Sequence, residues 1–363
     1  MKNERISPMQ LFTLIILFDM GTALVVSLGI EAGKDAWLAT LLGASVGLFL
    51  IGIYMKLYRL FPKRTLIGYT QDILGSSGGR CVGILYILFF IYGAARDLRD
   101  GADLLENSVL DQTPSVVITS LMMLTAAYVL NKGIEVLART GQIFLTVLCF
   151  IGFISSVLLI LSGSLEIDRI LPTMADGWRP IVETTMKQTI EFPYSEIICF
   201  TMILPMLDKP IHAKKAGFAA VIVSGLVLSY SSVLKITTLG VDIVERSTFP
   251  TLYMISLINI GTFIQRLDVF VVLTLIIGVF FKISIFFYAA VIAIADIFRI
   301  GDRQSTVLPI GLLIFLIGLI LSSNFAEHIE EGNIVLQTVY VVAGAGIPVA
   351  LLMVSIFRGM ARR

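Results

Sequence analysis

The chain has little with which to hold a metal or carry out group-transfer chemistry. It contains two histidines and three cysteines in 363 residues. His212 and His328 fall in separate loops, while Cys81, Cys149 and Cys199 lie within or at the start of apolar runs, without metal-ligand spacing. The odd cysteine count argues against a disulfide framework. The stretch 75–80 (GSSGGR) lacks the Lys-Ser/Thr ending of a phosphate loop and is predicted to be a flexible turn. With no Ser/His/Asp set, metal cluster or cofactor fingerprint, the sequence points away from an enzyme, a catalytic residue or a bound cofactor. Charge is scarce as well, at 15% of residues against about 25% in ordinary soluble domains. A net charge of +1 gives no reason to expect a nucleic-acid partner.

What is abundant is apolar surface: 57% of residues are hydrophobic and the mean hydropathy is +0.92, which places the chain in the membrane class. A span needs roughly 20 mostly apolar residues to cross about 30 Å of hydrocarbon. Ten segments qualify: 9–30, 38–60, 81–105, 115–131, 141–162, 188–207, 214–240, 268–298, 306–323 and 334–357. Their apolar runs are continuous and do not alternate, so they read as helices of one bundle and not as barrel strands. The first run follows Lys2 and Arg5 without an A-x-A-like cleavage site, so it is expected to be a retained helix and not a signal peptide. The segment between spans 7 and 8, 248–268, is too polar at its ends to cross and is expected to lie along the outer face as an amphipathic or partly re-entrant helix.

Charge gives the spans a direction. The terminal segments and even-numbered loops hold 17 basic residues, among them Lys63, Arg64, Lys214, Lys215, Arg299 and Arg303; the opposite loops hold 6. Those opposite loops also carry acids such as Glu327, Glu330 and Glu331. The positive-inside rule then puts both termini in the cytoplasm.

Against this apolar background the stretch LFDMGTA at 17–23 stands out. At 1.5 Å per residue from position 9, Asp19 lies about 15 Å deep, near the midplane. Span 6 enters from the other side near Lys187, and its Glu196 is roughly 13 Å deep, three residues after Pro193. Spans 1 and 6 would then correspond in two inverted five-span halves, about 6–165 and 180–357. Paired interrupted helices at the midplane mark a binding site in such an architecture. Gly21 allows close approach to the backbone, Pro193 removes a helix hydrogen bond, and the freed backbone groups can hold a carboxylate and an ammonium. Asp97, Asp100 and Asp103 in span 3 share a face near the outer interface, with Arg96 and Asp100 as i, i+4 partners, and read as a structural network. Tyr92 is deeper, and its hydroxyl needs a partner. In span 8, Lys282 is expected to snorkel or pair with an internal acid, while Thr274 and Gly278 offer a hydroxyl and an open backbone face.

The ordered set ISPMQLF, MGTALVVSLG followed by DAWLATLLG, FPYSEIICFTMILPML and GTFIQRLDVFVVLTLIIGVFFKISIFFYAA resembles the spore germination permeases, the B subunits of germinant receptors. The likeness extends over nearly the whole chain. It implies an all-α polytopic fold of the amino-acid/polyamine/organocation transporter type (LeuT-like): ten transmembrane helices, a five-plus-five inverted repeat, and broken helices 1 and 6. It further implies a place in the spore inner membrane beside A and C subunits, and sensing of a small nutrient such as an amino acid. Carried over residue by residue, the ligand site comprises Asp19, Gly21, Thr22 and Ala23 in span 1, Tyr92 in span 3, Tyr194, Ser195 and Glu196 in span 6, and Thr274 in span 8. Family members often carry glycine where this chain has Pro193-Tyr194-Ser195, so Tyr194 is expected to alter ligand size. The alternative from fold alone is an ion-coupled amino-acid transporter.

The charge bias predicts that a cysteine introduced as Pro62→Cys, in a background lacking the native cysteines, is labelled only from the cytoplasmic side of sealed vesicles. Labelling exclusively from outside would overturn the topology.

Overall fold

The computed structural model describes residues 4–258, 267–321, 327, 331, 332 and 334–359. Lys2, Arg266, His328, Glu330, Arg362, Arg363 and the middle of the 248–268 segment lie outside these residues. The described spans are helical and fall close to the ranges expected from hydropathy. Span 1 is Pro8–Met20 with a short 3-10 turn at Thr22–Leu24; spans 2 to 5 are Ala36–Leu60, Leu66–Ser108, Ser115–Lys132 and Ile134–Leu161. Span 6 is interrupted: a helix Trp178–Thr184, a π turn Thr185–Thr189, and a 3-10 segment Tyr194–Met202. Spans 7 to 9 are Ala213–Leu239, Asp268–Phe298 and Gln304–Ile320; span 10 contains π turns at Leu336–Tyr340 and Val342–Gly346, then a helix Ile347–Phe357. Among the described residues, seven helices are individually long and apolar enough to cross a bilayer, whereas Pro8–Met20 and Gln304–Ile320 are shorter. Span 6 forms no uninterrupted helix of that length, a direct consequence of its break.

Local sequence explains where the elements start and stop. Ser7 and Gln10 form a capping box at the start of span 1, the Gln10 N–H donating to Ser7 Oγ (3.2 Å) and the Ser7 N–H to Gln10 Oε1 (2.8 Å). Pro8 follows at the first helical turn, where its missing N–H is harmless. Span 1 departs from the expected 9–30 helix, because regular α structure ends at Met20. Beyond it, side chains from spans 7 and 8's connection take over the backbone carbonyls. The Thr251 hydroxyl donates to Leu24 O (2.6 Å) and Lys235 Nζ to Val26 O (2.6 Å). Span 3 begins earlier than expected, at Leu66, where Thr65 caps the Gly68 N–H. The 75–80 stretch is accordingly helical and not a loose turn; within it only Gly75 leaves helical geometry, at φ 84°. In the connection between spans 7 and 8, short helices occupy Val241–Arg246 and Pro250–Ser256.

Lipid-facing and buried surfaces separate by span. Spans 3 and 8 supply much of the buried interior, including Phe90, Phe281, Phe286 and Phe287, while span 5 presents Phe150, Phe153 and Leu161 outward. Small residues let the inner helices approach, since lipid offers no hydrophobic force to press them together. In span 2, Gly43 and Gly47 form a GxxxG face against span 6. A Cβ at Gly43 would lie 2.3 Å from Thr189 Oγ1, and one at Gly47 would lie 2.8 Å from the Tyr194 ring. At span 10, Gly344 passes so near the span 6 break that a Cβ would lie 2.4 Å from Ser195 O. The tyrosines of spans 2 and 3 satisfy carbonyls of that π turn: the Tyr54 hydroxyl donates to Gly344 O (2.5 Å) and that of Tyr86 to Ala343 O (2.8 Å). On the side of the termini, Ile6 pairs with Met206 and Asp208 through two backbone hydrogen bonds of 3.0 Å, which ties the entry of span 1 to the end of span 6.

Gly43→Ala should destabilise the purified protein by roughly 1–3 kcal/mol, the usual cost of overpacking, seen as a lower unfolding temperature in detergent. Gly152→Ala, where nothing lies within 4 Å of the added carbon, should be neutral or better. Equal behaviour of the two variants would contradict the close span 2–span 6 contact.

Candidate functional site

The sequence between Met20 and Ala36 cannot continue as one helix, and neither can that between Thr189 and Tyr194. These two breaks meet at a polar cavity of about 470 Å³. Thr22, Val26 and Ser27 line it from span 1; Gln188, Glu191, Phe192 and Glu196 from span 6; Arg96, Asp97 and Asp100 from span 3; and Lys282 from span 8. Residues 245–249 of the connection between spans 7 and 8 also line it.

Lys282 lies near the middle of its 31-residue helix, where a lone ammonium would be costly. It is held by two carboxylates, Asp97 Oδ1 at 3.0 Å and Glu196 Oε2 at 2.8 Å, and all three side chains are at most 5% exposed. Its Nζ also lies 4.2 Å from the Phe192 ring centre and 5.8 Å from that of Phe18, within the range of cation–π attraction. A glycine pair makes this reach possible. A Cβ at Gly278 would lie 2.8 Å from Gly21 Cα, and one at Gly21 would lie 3.1 Å from Lys282 Cδ. The absent side chain of Gly21 therefore leaves room for the lysine stem and for the backbone of span 8.

The second anionic feature is Asp19, fully buried behind the break. Ser224 of span 7 donates to its Oδ2 at 2.6 Å. Asp19 Oδ1, Asp97 Oδ2 and the Tyr194 hydroxyl have no hydrogen-bond partner among the described residues. Two buried carboxylates thus meet the ammonium directly, and Asp19 is held apart by Ser224. Glu191 also lines the cavity, as do Glu31, Asp100 and Glu245, and it makes no ion pair or side-chain hydrogen bond among the described residues. The backbone of the break is otherwise well satisfied: the Ser195 N–H donates to Ile190 O (2.9 Å), as does its hydroxyl (2.8 Å), and the Glu196 N–H donates to Pro193 O (3.2 Å).

The residues singled out from sequence divide into three groups. Thr22 and Glu196 line the cavity. Asp19, Gly21 and Ala23 stand behind it, Ala23 packed against Leu28 and Leu228. The remaining four occupy other settings. Tyr194 is enclosed by Gly47 of span 2 and Gly225 of span 7. Ser195 is turned back onto its own break. Tyr92 donates to Glu331 (3.0 Å), beside the Arg96–Glu331 ion pair (3.4 Å). Thr274 bonds within its own helix to Phe270 O (2.8 Å). Lys282, Asp97 and Glu191 were not among the ligand residues expected from sequence, whereas Phe192 opens the stretch 192–196 that the resemblance matched to the second break. A lysine inside so apolar a span was the available signal for the first two, since an intramembrane cation requires a buried acid. Lys235 went unremarked in span 7; it is buried and holds the unwound end of span 1.

Comparisons with known proteins bear on the family and the fold. Residues 5–326 match the family described as Spore germination protein. Spore germination protein KB of Bacillus subtilis is 36% identical over 359 residues, which cover 99% of this chain and 96% of that protein. Spore germination protein YndE of the same organism is 26% identical, over 89% of this chain and 88% of its own. Among solved structures, MHP1, a nucleobase-cation-symport-1 family transporter in a closed conformation with bromovinylhydantoin bound, aligns with a TM-score of 0.73 at 12% identity, over 96% of this chain and 78% of its own. MhsT in complex with L-phenylalanine gives 0.70 at 13% identity, over 98% and 90%. At such identities the common feature is the fold, a five-plus-five inverted repeat with broken spans 1 and 6. This chain is a multi-pass membrane protein and belongs to the spore germination protein family.

Proposed function

We propose that the chain is the nutrient-sensing membrane subunit of a spore germinant receptor. In this reading it sits in the spore inner membrane with both termini in the cytoplasm and acts together with A and C subunits. A small nutrient, foremost an amino acid, occupies the cavity between the two breaks. The observation that carries the reading is Glu191, without an ion pair among the described residues, on the wall of a cavity that Lys282 and Arg96 also line. Both signs of charge are on hand for a zwitterion, and Glu191 has an acceptor to give without first releasing another partner. Direct contact falls to Thr22, Glu191, Phe192 and Glu196. Asp19, Gly21 and Ala23 shape the wall from behind, and Tyr92, Tyr194, Ser195 and Thr274 fix the surrounding helices. The fold it has in common with solute transporters keeps a second reading in play, ion-coupled amino-acid uptake, which differs in needing no partner subunit.

A hydrogen bond to a charged group contributes about 1.5–3 kcal/mol. Glu191→Gln should therefore raise the half-maximal concentration of an amine-bearing nutrient at least roughly tenfold, at unchanged protein abundance. Thermal stabilisation of the purified protein by that nutrient should weaken in parallel, since a ligand bound only to the folded state raises its stability. An unchanged dose–response together with unchanged stabilisation would remove the site. Concentrative uptake of labelled amino acid into vesicles holding this chain alone would favour the transporter.

A further inference from the structure

A second polar cavity, of about 530 Å³, lies at the end of the bundle nearest the termini. It is built from the turn between spans 2 and 3 and the turn between spans 8 and 9. Four cationic side chains line it, Lys63, Arg64, Arg299 and Arg303, against two acids, Asp72 and Asp296. The acids are already engaged. Asp72 pairs with Arg64 (3.3 Å); Asp296 pairs with Arg303 (3.4 Å) and accepts from the Thr65 hydroxyl (2.5 Å). Among the described residues, the side chains of Lys63 and Arg299 have neither an ion pair nor a hydrogen bond. The start of span 3, whose Thr65 cap also lines the cavity, adds the positive end of a helix.

We infer that this cavity binds the phosphodiester headgroup of an anionic glycerophospholipid. The internal struts Asp296 and Asp72 hold two of the cations in place, and the surplus of two positive charges is left for a ligand. A phosphate oxygen is the acceptor that Arg and Lys recognise most readily, and basic pockets between helices at a membrane surface suit such headgroups. The cavity lies at the ends of spans 2, 3, 8 and 9. Phe298, the residue before Arg299 at the end of span 8, is 66% exposed and offers apolar surface for an acyl chain at the same helix end. That second element separates a lipid from free phosphate. The inference does not depend on the nutrient site, and either can fail alone.

The test uses the full chain in detergent and follows unfolding temperature as short-chain phosphatidylglycerol, short-chain phosphatidylcholine, glycerophosphoglycerol or inorganic phosphate is titrated. The wild type should be stabilised by phosphatidylglycerol and not by the other three. In Lys63→Gln/Arg299→Gln its half-maximal concentration should rise about thirtyfold, the effect of two lost surface charges. The charge-keeping pair Lys63→Arg/Arg299→Lys should retain binding, and Lys209→Gln/Lys215→Gln, which removes two charges outside the cavity, should behave as wild type. Equal loss in both Gln pairs would mean only diffuse attraction and overturn the site. Equal stabilisation by inorganic phosphate would overturn the lipid assignment. So would loss of co-purifying receptor subunits in the first Gln pair alone, without any lipid effect, which would make the cavity a protein contact.

Discussion

One buried ammonium organises the centre of this protein. Lys282 can sit in the middle of a long apolar helix only because Asp97 and Glu196 meet it at 3.0 and 2.8 Å. Each acid belongs to a different element, so the ion pairs fix span 8 to span 3 and to the break of span 6 together. Buried pairs of this kind contribute little net stability over an apolar alternative, but removing one partner leaves an uncompensated charge that costs roughly 3–5 kcal/mol. The triad therefore specifies an arrangement more than it strengthens one. The Gly21–Gly278 crossing accompanies it: the lysine stem runs so close to Gly21 that an added Cβ would lie 3.1 Å from Lys282 Cδ.

The same triad makes the cavity sensitive to what enters it. Glu191 and Phe192 precede Glu196 by a few residues on one break, and Phe192 lies over the Lys282 ammonium at 4.2 Å. In a low-dielectric interior a new charge within several ångströms acts strongly on its neighbours. A zwitterion held at Glu191 would thus bear on the forces at Lys282 and, through Asp97, on span 3. On the opposite side of the break, Ser195 packs beneath Gly344 of span 10. Occupancy of the cavity would in this way reach four spans without a long chain of intermediaries.

Hydropathy and charge bias were enough to read the ten spans, because the cost of exposing backbone or charge to hydrocarbon acts on the sequence position by position. The two breaks were legible for the same reason: Asp19-Met20-Gly21 and Pro193 are locally at odds with an apolar helix. Contacts between spans were much less so. Nothing local in Asp97 distinguishes it from Asp100, yet one meets Lys282 because the glycine crossing sets the rotation and depth of span 8. Tyr194 looked like a residue that would fill the ligand space. It is enclosed by Gly47 and Gly225, two glycines whose relevance appears only once spans 2 and 7 are packed. The expected turn at 75–80 failed for a simpler reason: glycine and serine disfavour a helix without forbidding it, and only Gly75 departs from helical geometry.

The most direct test of the central triad is charge balance. Lys282→Met alone should lower the unfolding temperature of the purified protein sharply, because it strands Asp97 and Glu196 in the interior. The triple variant Lys282→Met/Asp97→Asn/Glu196→Gln, which removes the charges together, should recover most of that stability. The two should be compared with wild type in the same detergent at the same pH. Recovery in the triple variant is the predicted result. A single variant as stable as wild type, or a triple variant no better than the single one, would contradict the account.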